Sequence, residues 1–362
     1  MKRSLLIRIW VILLFGFIGS QGVTQDTFFT QYFSSPLLIN PALTGINTGI
    51  RARFNYRNQW PVMPKSYQAY YFSADVGDRA LPGSGGLGLI FNSDNEGTGF
   101  IHNLEVGATI SVRIRINDFL ITQIGIKASY RQKSVNWDDF VFTDDLNAKY
   151  GYTNSTKFSD PAINSKSAAD FGVGGLLQYI SDDGAASGNL GFAVDHLFQP
   201  DMSFFTTGES PLYRRWVIHA DGIFSFGGGS RSSNYGAGDA TMINPGIVFQ
   251  RQWNVSSLEV GLNGIKYNIY LGTWFKTSLT SPSSNSLAVL AGYRLVTDIV
   301  NVRFIYSYDI PISGAYVASG GAHEVGLVFD FDKVSIFGRG SSGFGRSGSK
   351  RNKEPKECPS FY

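Results

Sequence analysis

Residues 299–310 read Ile-Val-Asn-Val-Arg-Phe-Ile-Tyr-Ser-Tyr-Asp-Ile, and this stretch narrows what the chain can become more than any other. Successive side chains of an extended backbone point to opposite faces. Val300, Val302, Phe304, Tyr306, Tyr308 and Ile310 therefore share one face, while Asn301, Arg303, Ser307 and Asp309 share the other, with Ile305 the one exception. The apolar row is longer than a soluble hairpin needs, and tyrosines sit near its end. A strand that crosses a membrane needs about 9 to 11 residues, an apolar outer row, a polar inner row and aromatic side chains at the interfaces. This stretch meets each requirement.

Only 16% of the 362 residues are charged, although 43% are hydrophobic and 14% aromatic. Soluble domains carry about 25% charged residues, so much of this surface is expected to face something other than water. Past the N-terminus no segment approaches the roughly 20 apolar residues of a spanning helix. Inside a bilayer every backbone polar group must be paired, which leaves a closed β-barrel. A large soluble β-sandwich or β-helix is the competing reading. At the N-terminus Lys2, Arg3 and Arg8 accompany an apolar run over residues 5–18, followed by Ser20-Gln21-Gly22. This is the pattern of a cleaved export signal over residues 1–22, with a retained anchor as the alternative. Cys358 is the only cysteine, so a disulfide framework is ruled out and no lipid-bearing cysteine lies near the cut.

Fourteen antiparallel strands are predicted between residues 50 and 331: 50–60, 66–77, 85–93, 101–116, 118–131, 171–180, 188–196, 215–226, 241–252, 254–265, 268–276, 286–295, 299–310 and 322–331. Over 118–131, Leu120, Thr122, Ile124, Ile126, Ala128 and Tyr130 alternate with Gln123, Lys127, Ser129 and Arg131. Over 254–265, Leu258, Val260 and Leu262 alternate with Ser257, Glu259 and Asn263. Over 66–77 the inner row (Tyr67, Ala69, Tyr71, Ser73) is itself aromatic and calls for something to pack on, such as a plug. Pro245 removes a ladder donor and predicts a bulge or a later strand start. In bacterial barrels periplasmic turns are short and external loops long. If the first strand runs outward, 132–170 and 197–214 are external, both termini are periplasmic, and the Gly/Ser-rich link 227–240 is the one long connection on the short side.

Loss of residues 1–22 removes three positive charges and takes the net charge from +3 to zero. That zero combines a tail (residues 332–362) with seven Lys/Arg against two Glu past residue 332, and a mildly acidic body. A basic Gly/Ser-rich tail stays flexible until a partner orders it. Residues 23–49 form an apolar segment without strand alternation, expected to be extended and tucked into or against the barrel. Pro36 and Pro41 hold Ser35 and Asn40 in extended or turn geometry.

This segment is specific in its wording: Phe28-Phe29-Thr30-Gln31-Tyr32-Phe33-Ser34-Ser35-Pro36, then Asn40-Pro41-Ala42-Leu43-Thr44-Gly45. Arg53-Phe54-Asn55-Tyr56-Arg57-Asn58-Gln59-Trp60-Pro61 and Gly86-Leu87-Gly88-Leu89 follow, with Tyr130-Arg131 and His323-Glu324-Val325-Gly326-Leu327 further on and Cys358-Pro359-Ser360-Phe361-Tyr362 at the end. Together they resemble the PorP/SprF family of outer-membrane proteins of the Bacteroidota type IX secretion and gliding motility apparatus. Gln31, Asn40, Pro41 and Gly45 are the N-terminal motif positions. The resemblance implies a non-enzymatic role. It also implies contact with the periplasmic ring lipoprotein and its partner protein, and secretion or surface anchoring of a large adhesin through its C-terminal sorting domain.

Chemistry is sparse. His102, His196, His219 and His323 lie far apart with no zinc spacing, and no serine has an evident histidine partner. Asp94, Asn95 and Glu96 offer oxygens to calcium but lack the twelve-residue loop pattern; solvated loop charge is the plainer reading. Gly83-Ser84-Gly85-Gly86 and Gly227-Gly228-Gly229 open no Lys-Ser or Lys-Thr helix, so they are turns. No enzyme, cofactor, metal or nucleic-acid partner is predicted. Candidate partner contacts are Trp137, Asp138 and Asp139 in an external loop and Lys350, Arg351, Phe361 and Tyr362 in the tail; outer-membrane lipid is the remaining partner. A diffusion channel for small solutes is the alternative function.

Overall fold

The computed structural model describes residues 26–331 apart from 64, 78–84, 97–100, 138–139, 141, 148, 150, 153–155, 160, 162, 183–184, 206–208, 227–240, 281–284, 298 and 314–318. The expected signal peptide, the basic tail and the Gly/Ser-rich link fall outside the described residues. The barrel strands are β1 (Gly49–Gln59), β2 (Tyr67–Gly77), β3 (Gly86–Glu96), β4 (Ile101–Arg115), β5 (Leu120–Val135), β8 (Ser165–Ile180), β9 (Ala186–Asp195), β10 (Arg215–Phe226), β11 (Thr241–Gln252), β12 (Val255–Lys266), β13 (Ile269–Ser278), β14 (Ser286–Val296), β15 (Asn301–Pro311) and β16 (Ala322–Phe331). A small hairpin of β6 (Leu146–Asn147) and β7 (Gly151–Tyr152) belongs to the β5–β8 loop. Each barrel strand pairs antiparallel with its neighbour in the chain, and β1 closes on β16 from Ile50↔Phe331 to Gln59↔Ala322. Closure leaves no unpaired edge, which is what a bilayer demands of strands. Among the described residues no helix is long and apolar enough to cross a membrane.

The two rows of each strand behave as their chemistry requires. On β5 the Ile124 side is 55% exposed on the outer wall while Lys127 is 0% exposed on the inner one. On β15 Phe304, Tyr306 and Ile310 face outward, and Arg303, Ser307 and Asp309 are buried inside. Ile305, the odd residue in the polar row, is the inward member that joins an apolar cluster filling the lumen. The pattern break thus marks contact with a second body.

Two expected boundaries move by four or more residues. β5 and β8 extend four and six residues further toward the loop, through Gln132–Val135 and from Ser165 onward. Once a strand leaves the hydrocarbon its outer row has no reason to be apolar, so alternation vanishes while the ladder continues (Gln132↔Ser167, Ser134↔Ser165). Pro245 causes neither a bulge nor a late start: β11 begins at Thr241, and Asp221↔Gly246 and Phe224↔Ile243 keep one register. Between them the ladder is interrupted, and the Asn244 side-chain Nδ2 donates to Gly222 O at 2.7 Å, supplying a donor where proline has none. The short links that the predicted strands leave at 117 and 266–267 are found at 116–119 and 267–268. Tyr267 and Asn268 take φ of 49° and 69°, as two-residue hairpins of twisted strands require. Asn117 Oδ1 accepts from the N–H groups of Phe119 and Leu120 in the β4–β5 turn.

Residues 26–48 lie inside the barrel. They are not extended: short helical turns occur at Tyr32–Ser34, Pro36–Ile39 and Pro41–Leu43. Proline at the first helical position is the reason for two of them, because its fixed φ suits that position and its missing N–H would be unpaired there anyway. The segment is a plug that runs the length of the lumen. Asp26 meets Arg131, Arg215 and Gln252, at or near the loop ends of β5, β10 and β11, whereas Gly45 meets Asp75 near the opposite end, where β1 begins. Asp26 and Phe331 therefore lie at opposite ends of the barrel. Within the described residues this departs from the expectation that both ends of the mature chain share one side, because the plug reaches β1 by threading the lumen from the loop end.

Candidate functional site

The plug meets the wall all round. Its base is tight. Gly45 takes φ +60° and donates its N–H to Asp75 Oδ2 at 2.9 Å, while Arg53 pairs with the same carboxylate. A Cβ on Gly45 would lie 2.5 Å from Gly86 Cα, so β2, β3 and the plug approach backbone to backbone. Thr44 O accepts from Ser111 Oγ and Gln123 Nε2. Asn40 Oδ1 accepts from Ala42 N and caps the Pro41–Leu43 turn, and its Nδ2 donates to Gly175 O at 3.0 Å. Glycine on the facing strand makes room for it: a Cβ on Gly174 would meet Asn40 Oδ1 at 1.9 Å.

Near the loop ends of β1, β15 and β16, Glu324 captures two consecutive plug amides, Thr30 N at 2.8 Å and Gln31 N at 2.9 Å. Arg57 ties the same place together, donating to Thr30 Oγ1, Glu324 and Asp309. Gln31 Nε2 donates to Ile305 O, Ser307 Oγ and Glu324 O. Tyr32 packs edge-on against Trp274 at 5.0 Å, and Phe29 lies 5.9 Å from Tyr71. The aromatic inner row of β2 thus has its packing partner. Leu37, Ala42 and Leu43 are wholly buried.

The loop-end mouth is held by charge. Asp26 lies 2.9 Å from Arg131 and 3.6 Å from Arg215, and His196 sits between Asp26 and Asp170. Arg131 also reaches Glu105 and Asp170, while Lys127 bridges Glu105 and Asp195. Burial pushes the Asp26 carboxyl up, but Arg131, His196 and Arg215 together outweigh it and hold it well below the ordinary range. Burial pushes His196 down, yet the Asp26 charge and the hydrogen bonds to Asp170 and Asp26 raise it, so the imidazolium donates from both nitrogens. Beside this latch is a cavity of about 270 Å³, lined by wall residues including Asn92, Asp94 and Asn103, and roofed by Met202 and residues 209–213 of the β9–β10 loop.

Of the predicted contact residues, Trp137 is described. It is not a lone projecting ring: its centroid is within 5.6–5.7 Å of Phe140, Phe158 and Phe204, so it joins the β5–β8 and β9–β10 loops. Asp144 folds the same loop by accepting from Lys157 N and Thr156 Oγ1. Asp138, Asp139, Lys350, Arg351, Phe361 and Tyr362 lie outside the described residues. Gln31, Asn40 and Gly45 each fasten the plug to a different part of the wall, and Pro41 lies against Gly125, so the four are spread along the plug rather than gathered in one place. Sequence reading missed the mouth latch. Its members sit in inward rows or just past strand ends, which alternation reveals, but their pairing spans up to 170 positions and leaves no local signal.

The chain is distantly similar to several solved structures, all at low identity. The CymD monoaromatic hydrocarbon channel shares 11% identity, with 82% of this chain and 91% of that chain covered, at a TM-score of 0.44. A Pseudomonas aeruginosa FadL homologue shares 12% identity over 80% and 91% of the two chains, at a TM-score of 0.40. Acinetobacter baumannii Omp33 shares 8% identity over 80% and 99%, at 0.37. No curated protein matches the chain. Residues 22–329 match the family described as type IX secretion system membrane protein PorP/SprF. The match takes in the plug and nearly the whole barrel, and the chain belongs to the PorP/SprF family of type IX secretion outer-membrane proteins.

Proposed function

We propose that this outer-membrane barrel is a closed, non-enzymatic scaffold that holds a secreted adhesin on its long-loop side. The occupied lumen carries this reading: Tyr32, Leu37, Leu43 and Ile46 fill the space a conduit would need. A barrel whose interior is filled has its two end surfaces left to work with. The loop surface offers aromatic rings bridged by Trp137, the residue type that anchors protein interfaces, to the C-terminal sorting domain of a cargo protein. At the base, where β16 ends, the basic tail carries Lys350 and Arg351 and closes on Phe361-Tyr362; its charge suits an acidic face of the periplasmic ring lipoprotein or its partner. Short base turns and long opposite loops support a periplasmic base.

Mass spectrometry of the gently solubilised complex tests this. Ring components and a sorting-domain protein are expected with the full chain, and removal of residues 341–362 is expected to release the ring components while cargo stays bound. Recovery of the barrel with neither partner, together with high conductance, would support a small-solute channel instead.

A further inference from the structure

Pro245 leaves one place in the wall short of a bond, and what fills it comes from the lumen. The register of β10 and β11 is constant from Arg215↔Gln252 to Phe226↔Thr241, yet Gly222 and Ile223 have no ladder partner on β11. Among the described residues no other barrel ladder is interrupted between its ends. The outer face of the break carries Gly222, its cross-strand partner Gly188 and the ring of Phe224, which lies 3.2 Å from where a Gly222 Cβ would stand. None of these side chains donates a hydrogen bond, and neither does a lipid tail. An unpaired carbonyl facing hydrocarbon is strongly disfavoured, so the donor for Gly222 O has to come from inside.

Asn244 makes that bond, and it is the last member of a chain. Asn263 Nδ2 donates to Asn244 Oδ1 at 3.2 Å, and Trp274 Nε1 donates to Asn263 Oδ1 at 3.0 Å, all three side chains being buried. An indole N–H only donates, whereas a side-chain amide presents either its oxygen or its nitrogen. The indole therefore sets the direction of both amides. Asn263 offers its oxygen to Trp274 and its nitrogen to Asn244, and Asn244 has its own nitrogen left for Gly222 O. Trp274 is in turn placed by the plug. Its ring lies across Gly261 of β12 and Gly246 of β11, where a Cβ on either would strike it, and Tyr32 packs edge-on against it with its hydroxyl over Gly246. We propose that Tyr32, Trp274, Asn263 and Asn244 are a lock through which the plug holds the β10–β11 seam shut. An occupied lumen fixes the indole, the indole fixes the two amides, and the amides complete the wall. Withdrawal of the plug frees the indole, lets the amides turn, and loosens the seam at Pro245 ahead of the others. This coupling does not depend on which partner the loops or the tail hold.

Hydrogen exchange of the full-length protein in lipid nanodiscs tests the lock, followed over residues 220–224 and 243–247 with β4 and β5 as the internal control. Trp274→Phe keeps an aromatic ring and removes the N–H. It should quicken exchange at the seam about tenfold, the effect of leaving a buried polar group unpaired, with the control unchanged. Tyr32→Ala should act in the same direction through the indole. Pro245→Ala gives the ladder its own donor, and in that background Trp274→Phe should no longer quicken the seam, whereas a simple loss of packing would persist. Heat-dependent gel migration confirms that each variant is a folded barrel, and Asn244→Leu, which cannot donate, should give the same local quickening if Trp274→Phe does not fold. Unchanged seam exchange in these variants, equal quickening in β4 and β5, or a Trp274→Phe effect that Pro245→Ala does not suppress would each overturn the proposal.

Discussion

The two ends of the plug are fastened by different physics. At its base Gly45 is wedged between the backbones of β2 and β3, its N–H held by the Asp75 carboxylate that pairs with Arg53, and the chain continues directly into β1. At its mouth Asp26 is held by Arg131, His196 and Arg215, all of them groups that carry charge. Close contact cannot be tuned by pH or salt, whereas an ionic latch can. The base therefore sets where the plug sits, and the mouth sets how firmly its Asp26 end is held.

The sharpest way to break the comparison is at the base. Gly45→Val adds a branched side chain at a left-handed φ, against backbone atoms of β2 and β3 that cannot give way without opening the sheet. No folded barrel is expected, read as loss of heat-dependent gel migration. Next comes the Arg57 tie. Arg57→Met leaves Glu324 and Asp309 buried with less compensation, and removing one partner of a buried ionic group costs about 3–5 kcal/mol. Urea unfolding in lipid vesicles should show that loss, with the strand content of the remaining folded protein unchanged.

The mouth should respond to pH and the base should not. His196 is raised above its ordinary value of about 6.5, so its contribution is complete below that pH and is lost as pH rises through the folded value. Asp26 is depressed, so its contribution is present above about 3.9 and is lost only as pH falls toward its lowered value. Hydrogen exchange at residues 26–30 is therefore expected to quicken beyond the intrinsic rate as pH rises above about 6.5, while exchange at residues 43–46 scales only with the intrinsic rate. Equal quickening at both ends would remove the distinction. The smallest effect on the barrel is expected outside it. Trp137→Ala loses aromatic contacts worth about 0.5–1.5 kcal/mol, which should loosen the joined loops in limited proteolysis, weaken cargo recovery and leave the urea midpoint of the barrel alone.

The wall was open to sequence reading and the plug's attachments were not. Period-two alternation needs one residue's neighbours, so β5, β12 and β15 could be read directly, and even the break at Ile305 and the aromatic row of β2 pointed to a filling body. Alternation fails where the lipid ends, which is why the outer parts of β5 and β8 looked like loop. The plug's direction depends on which wall residues Asp26 and Gly45 meet. Those meetings join positions 26 with 196 and 45 with 75, and nothing in the local pattern encodes them. Asn40 and Pro41 looked like turn residues, and they are; that Gly174 and Gly125 leave space for them requires the closed barrel.

Conductance across a planar bilayer tests the central claim most directly, that residues 26–48 occupy the lumen and leave the barrel closed. The intact protein is expected to give no steady current, and a variant with residues 26–44 replaced by a short Gly/Ser linker to β1 should open a large, steady conductance. A sustained porin-sized current through the intact barrel, unchanged by that replacement, would contradict the account.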